Sequence, residues 1–191
     1  MPETTKQSAG PLDGVRVLDL AEERGLYAGK VLADLGAEVI LVEDPKGGRA
    51  RSLGPFKDDN PGIENSLYFL NFNSNKRGIT LSLDSLPGQV IFRQLAKGSD
   101  VVVEDYPVGR MHSLGLDYAA LRDINPGLVM ASITGFGSAG PYSRYKAPDI
   151  VSPAMGGLMN VNGPADAAPV TAPCDQANHS VSVTAVFGII A

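Results

Sequence analysis

Val15-Arg-Val-Leu-Asp-Leu20, Leu26-Tyr-Ala-Gly-Lys-Val-Leu-Ala-Asp-Leu35 and Ala37-Glu-Val-Ile-Leu-Val42 follow one another with only short breaks between them. The first and third are short apolar runs rich in Val, Ile and Leu, the composition of strands buried on both faces. In the middle segment Leu26, Gly29, Val31, Leu32 and Leu35 recur near helical spacing, and Gly36 is a helix C-cap signal. Strand, helix and strand over about 30 residues make a βαβ unit, which closes almost only as a right-handed parallel pair. The turn signal Pro11-Leu-Asp-Gly14 opens the unit, and Glu43-Asp44 ends it.

Moving outward, the pattern repeats. Gly78-Ile-Thr-Leu81 reads as a strand, and Pro87 starts a helix through Val90, Ile91, Phe92 and Leu95 that stops at Gly98. Asp100-Val-Val-Val-Glu104 is a strand, Tyr118 to Ile124 a helix ended by Asn125-Pro126, and Leu128 to Ile133 another strand. Strands alternating with helices in this way predict an α/β fold built on a doubly wound parallel sheet. Such sheets bind ligands at the carboxyl ends of their strands, here the loops at 21–25, 43–66, 105–109 and 134–140.

Composition narrows the function. The 191 residues are 43% hydrophobic and 19% charged, enough for one domain with a substantial core. A net charge of −5 argues against general nucleic-acid binding, which needs clustered Lys and Arg. Residues 1–10 read as a polar tail without a signal-peptide core, and residues 11–191 as the domain. No run approaches the roughly 20 apolar residues of a membrane span. With Cys174 as the only cysteine there is no intrachain disulfide, and a cytoplasmic protein is expected.

Four stretches carry candidate chemistry. Gly135-Phe-Gly-Ser-Ala-Gly140 matches GxGxxG but runs into Pro141 rather than a helix, so it does not predict NAD binding. Asn71-Phe-Asn-Ser-Asn-Lys-Arg77 gathers three amides and two cations, a set that either meets a polar ligand or shapes a turn. Segment 43–66, with Lys46, Arg49 and Arg51, shows no periodic run and reads as a long functional loop or a solvated excursion. The fourth stretch is Pro169-Val-Thr-Ala-Pro-Cys-Asp-Gln-Ala-Asn-His179, where Asp175 stands at the start of a helix from Gln176. An aspartate there is a natural side-chain N-cap, and in a dry pocket it can also act as a nucleophile. Cys174 with His179 would be the pair for thiol chemistry, at a spacing that suits it poorly. From Gln176 to Ala191 the helix is apolar all round and ends without a polar last turn, which predicts an uncovered face.

Six motifs in order resemble the family III CoA-transferases (CaiB/BaiF, the formyl-CoA transferase-like group): Pro11 to Leu20, Ala33 to Glu43, Phe72 to Arg77, Asp100 to Glu104, Ala131 to Gly137, and Asp149. The resemblance runs to Ala191, about half the length of such enzymes, and implies the N-terminal part of their Rossmann-like large domain. It implies transfer of coenzyme A from an acyl-CoA to a carboxylic acid, with CoA as substrate and no tightly bound cofactor or metal. Asp175 falls on the aspartate that attacks the thioester, forming a mixed anhydride and then an aspartyl-CoA thioester. By the same resemblance CoA would be held by Arg24 and Gly25, Leu81 and Asp84, Asp105 and Tyr106, and Thr134, Gly135, Phe136 and Gly137. Asp44 and Asp84 stand where formyl-CoA transferase has cations, and Ser113 replaces an arginine near the nucleotide. The histidine that marks the family's racemases is Pro148 here, which favours the transferase. A homodimer, or a second chain supplying the missing half, is expected, with a non-catalytic CoA-binding subunit as the alternative.

Overall fold

A computed structural model describes residues 10–191. Five parallel strands form one sheet: β1 (Arg16–Asp19), β2 (Glu38–Glu43), β3 (Arg77–Thr80), β4 (Val101–Glu104) and β5 (Val129–Ser132). Their spatial order is β3-β2-β1-β4-β5, the doubly wound arrangement, with the direction of winding reversing between β1 and β4. Leu18 stands opposite both Ile40 of β2 and Val102 of β4.

Because side chains alternate along a strand, each face of the sheet receives its own apolar layer. Leu18, Leu20, Val42 and Val102 pack with Phe92 of α3 (Leu86–Lys97) and Leu121 of α5 (Tyr118–Ile124). Val17, Val39, Val101 and Val103 pack on the opposite face with Ala28 and Leu32 of α1 (Leu26–Asp34) and Val186 of α7 (Gln176–Ile190). Helices on both faces explain why the strands read as continuous apolar runs.

The predicted segments agree with these elements to within one or two residues. Gly10, assigned to the polar tail, is packed against Leu35 and Gly36. The rest of that tail, residues 1–9, lies outside the described residues. Segment 43–66 has more local order than its sequence suggests. It contains 3-10 turns at Arg49–Ser52 and Lys57–Asp59, and Ser66 then caps the unforeseen helix α2 (Leu67–Phe72) through the Phe69 N–H. Two further short helices, α4 (Arg110–Ser113) and α6 (Val151–Met155), complete the set. No helix among the described residues is long and apolar enough to cross a membrane.

The amide-rich stretch before β3 turns out to be structural. Lys76 Nζ donates to Asp19 Oδ2 at 2.8 Å, to Asn73 Oδ1 at 2.9 Å and to the Leu26 carbonyl at 3.0 Å, with both charged side chains essentially out of solvent. Asn75 donates to Asp34 at 2.7 Å, and Arg77 to Glu38 at 2.7 Å. Gly29 is required by this pair, since a Cβ there would stand 2.0 Å from Asp19 Oδ2.

Candidate active site

At the point where the sheet reverses its winding, the first strand-to-helix loop is organised by a residue from the far side. The Asp105 carboxylate, just beyond β4, accepts the backbone N–H groups of Glu22, Glu23 and Gly25 at 2.9, 2.9 and 3.1 Å. A carboxylate taking three N–H donors in a buried position replaces the glycine fingerprint that nucleotide-binding loops otherwise use here. Arg24 is left to point outward, where its Nη2 donates to the Ala147 carbonyl at 2.5 Å. Its own carbonyl accepts the buried Ser182 hydroxyl of α7 at 2.6 Å.

Two cavities open at this edge. The smaller, 210 Å³, is lined by Glu22, Asp44, Leu81, Asp84, Tyr106 and Arg110. The larger, 930 Å³, includes Arg24, Tyr106, Thr134, Gly135, Asp149 and Asn178 in its lining. Tyr106 belongs to both, and burial raises its phenol above the usual range. In the smaller cavity Glu22 is also raised, first by burial and then by the Asp105 charge. Asp84 there is ion-paired with Arg110.

The Asp175 turn corrects one expectation. Asp175 precedes α7 as predicted, but its side chain makes no capping bond. It takes φ 50° and ψ 40°, and Cys174 before it has φ 63°. Two successive non-glycine residues in the left-handed region cost about 1–2 kcal/mol each. The reason the cap fails is geometric: an N-cap residue needs extended backbone for its side chain to reach the first-turn N–H groups. Freed from capping, the carboxylate faces Tyr68 of α2, whose hydroxyl is raised by burial first and then by the Asp175 charge. The His179 ring packs against both Tyr27 and Phe72, with centroids 5.2 and 5.3 Å away, and those two rings touch each other at 5.9 Å.

The structure distributes the predicted contact residues unevenly. Arg24, Tyr106, Thr134 and Gly135 share the larger cavity, while Leu81, Asp84 and Tyr106 share the smaller. Gly25 and Asp105 are buried behind the wall, so Asp105 positions the loop through its side chain. Phe136 and Gly137 do not line either cavity, and Phe136 packs on Tyr142 at 5.9 Å between ring centroids. Gly135 is needed for packing, since a Cβ there would meet the Ala147 Cβ at 2.1 Å. The stretch 135–140 opens no helix, as expected from Pro141. Cys174 is exposed and His179 makes no bond to it. No cluster of three or more His, Cys, Asp or Glu able to hold a metal occurs among the described residues.

Sequence reasoning missed Tyr68 and Arg110. Ser66 followed by Leu67-Tyr-Phe-Leu-Asn-Phe72 carried a capping and i,i+4 aromatic signal for α2, but it was hidden inside a loop-like region. Arg110 had no local signal at all, because it meets Asp84 from 26 residues away.

Comparison with known proteins bears on this geometry, since a family profile, CoA-transferase family III, matches residues 12–191. The chain belongs to CoA-transferase family III. It is 38% identical over 91% of its length to the BbsE subunit of succinyl-CoA:(R)-benzylsuccinate CoA-transferase from Thauera aromatica, covering 42% of that protein. It is 40% identical to formyl-CoA:oxalate CoA-transferase from Streptomyces avermitilis, over 94% of this chain and 43% of the relative. A crystal structure of a CAIB/BAIF family protein from Brucella suis is 37% identical, with a TM-score of 0.89 over 95% of this chain and 48% of that one. The chain therefore spans less than half the length of the relatives it matches. The doubly wound sheet is the part of the family III fold that it contains.

Proposed function

We propose that this protein transfers coenzyme A between an acyl-CoA and a carboxylic acid, with Asp175 as the nucleophile. The observation that carries the reading is the left-handed Cys174-Asp175 turn, which withdraws the carboxylate from capping and leaves it near Tyr68 and near Asp149, a residue of the 930 Å³ cavity wall. Strain of this kind persists where the surrounding fold holds a functional group in place. In the proposed cycle the Asp175 carboxylate attacks the thioester carbonyl, a C–O bond forms, and the C–S bond breaks to release CoA thiolate. Thiolate return to the aspartyl carbonyl yields the acyl carboxylate and an aspartyl-CoA thioester, from which the incoming acid collects CoA by the reverse steps. Tyr106 and Arg24 would hold the CoA moiety along the two cavities, and Thr134 with Gly135 would border its acyl end.

The segments of the family absent from this chain, in the same polypeptide or in a partner, complete the proposed enzyme. The BbsE relative is itself a subunit, which supports assembly with a second chain. Full-length protein incubated with succinyl-CoA and trapped with hydroxylamine should carry the label on Asp175 by peptide mass spectrometry. Asp175→Asn should lower transfer at least about 1000-fold while leaving the melting temperature nearly unchanged. A label on Cys174, or an active Asp175→Asn enzyme, would remove the assignment.

A further inference from the structure

Two buried side-chain polar atoms among the described residues have no hydrogen-bond partner, Asp149 Oδ1 and His179 Nε2. Both lie beside Asp175. Asp149 lines the larger cavity, and His179 stands one helical turn beyond Asp175, its backbone N–H donating to the Asp175 carbonyl at 3.0 Å. An orphaned buried polar atom costs about 1–3 kcal/mol, so a fold rarely keeps one without a ligand or water to receive it. Here there are two, in different segments, and Asp149 feels the charges of both Asp175 and His179. Elsewhere in the molecule the buried polar residues Asp19, Asp105 and Ser182 are engaged by hydrogen bonds.

We propose that Asp149 and His179 form a two-donor clamp for one oxygen of the acyl group, the oxygen that gathers negative charge as Asp175 attacks the carbonyl carbon. This inference rests on the Asp175 reading given above. When the Asp175 C–O bond forms, the carbonyl π pair moves onto that oxygen. The clamp stabilises it, and the pair returns as the C–S bond breaks and CoA thiolate departs. Asp149 keeps its proton throughout, so the step needs no co-reactant. Preorganised donors aimed at a developing oxyanion act most strongly where water is excluded.

For Asp149 to donate it must be a carboxylic acid, and its surroundings shift it toward that form. Burial raises it first and the Asp175 charge raises it further; the Asn178 backbone N–H, His179 and Arg24 pull the other way, and the net direction is upward. The other charged groups bordering the cavity are Glu23, Arg49, Arg144 and Lys146. His179 supplies Nε2–H while its ring stays packed against Tyr27 and Phe72.

The test is single-turnover acylation of the full-length enzyme by acyl-CoA across pH, read as covalent mass on Asp175. Asp149→Ala should slow acylation about 100-fold. Asp149→Asn, whose amide donates at every pH, should restore most of that rate and abolish the fall that the wild type shows on the alkaline side. His179→Phe keeps the ring packing and should lose on the order of 10-fold. If Asp149→Asn were as slow as Asp149→Ala, or if Asp149→Ala and His179→Phe acylated at the wild-type rate, the clamp would be wrong while the nucleophile stood. Absence of any adduct on Asp175 in the wild type would overturn both.

Discussion

Buried charge is handled in opposite ways in two regions of this molecule. Around β1 and β3 every charged group taken out of water is answered from within: Asp19 by Lys76 and the Ala21 N–H, and Lys76 by two further oxygens. Between Thr134 and His179 the polar atoms are left open, the backbone enters left-handed conformations at Cys174 and Asp175, and the adjoining cavity is the largest of those described. The contrast separates a charge that holds the fold from a charge held ready for a ligand. Lys76 and Asp175 read almost alike in sequence, as ionisable residues at the edge of a regular element, and the difference lies in whether the surroundings satisfy them.

That comparison can be tested most severely in the satisfied region. Lys76→Met should destabilise the protein by about 3–5 kcal/mol, because it strands a buried carboxylate. Adding Asp19→Asn should return more than half of the loss, measured by urea unfolding. If Lys76→Met instead left stability within about 1 kcal/mol and weakened CoA binding, Lys76 would belong with the open groups.

A smaller effect is expected at Asp175. With no capping bond to lose and a left-handed backbone to relax, Asp175→Gly should raise stability by about 1 kcal/mol while eliminating transfer. A loss of about 1 kcal/mol, the usual consequence of removing a cap, would show that the carboxylate caps α7 in solution.

The smallest effect belongs to the exposed edge of the sheet. Glu38 is lowered chiefly by its hydrogen bond from Arg16, with Arg77 adding to it. A depressed carboxylate stabilises the fold above its unfolded value, here near 4.5, and that contribution fades as pH falls through the lower folded value. Solvent screening keeps the magnitude below about 1 kcal/mol. Glu38→Gln should flatten this part of the acid-stability curve and change little at neutral pH. A loss above about 2 kcal/mol at pH 7 would mean that surface pairs share in holding the sheet.

Periodicity was sufficient for the sheet and its helices, because burial on both faces writes continuous apolar runs into the strands and a 3.6-residue repeat into the helices. The absence of a glycine fingerprint in Arg24-Gly-Leu-Tyr-Ala-Gly29 was equally plain in the chain itself. Motif order was sufficient for the family. What local sequence could not carry is any property that depends on residues meeting across the fold. Asp105 shapes a loop 80 residues before it, Ser182 reaches Arg24 across 158 residues, and Lys76 finds Asp19 across 57. The same holds for the Cys174-Asp175 turn. From sequence, Asp175 is an ordinary N-cap, since local propensity favours that conformation. Packing of α7 on α1 and β5 overrides the preference and leaves the carboxylate facing Tyr68, with its neighbours Asp149 and His179 unsatisfied. Sequence determined which residues could be charged, apolar or kinked, because those are properties of single side chains and their spacing. Only the tertiary structure decided which charges were neutralised and which stayed open, because burial and partnership are properties of the packed whole.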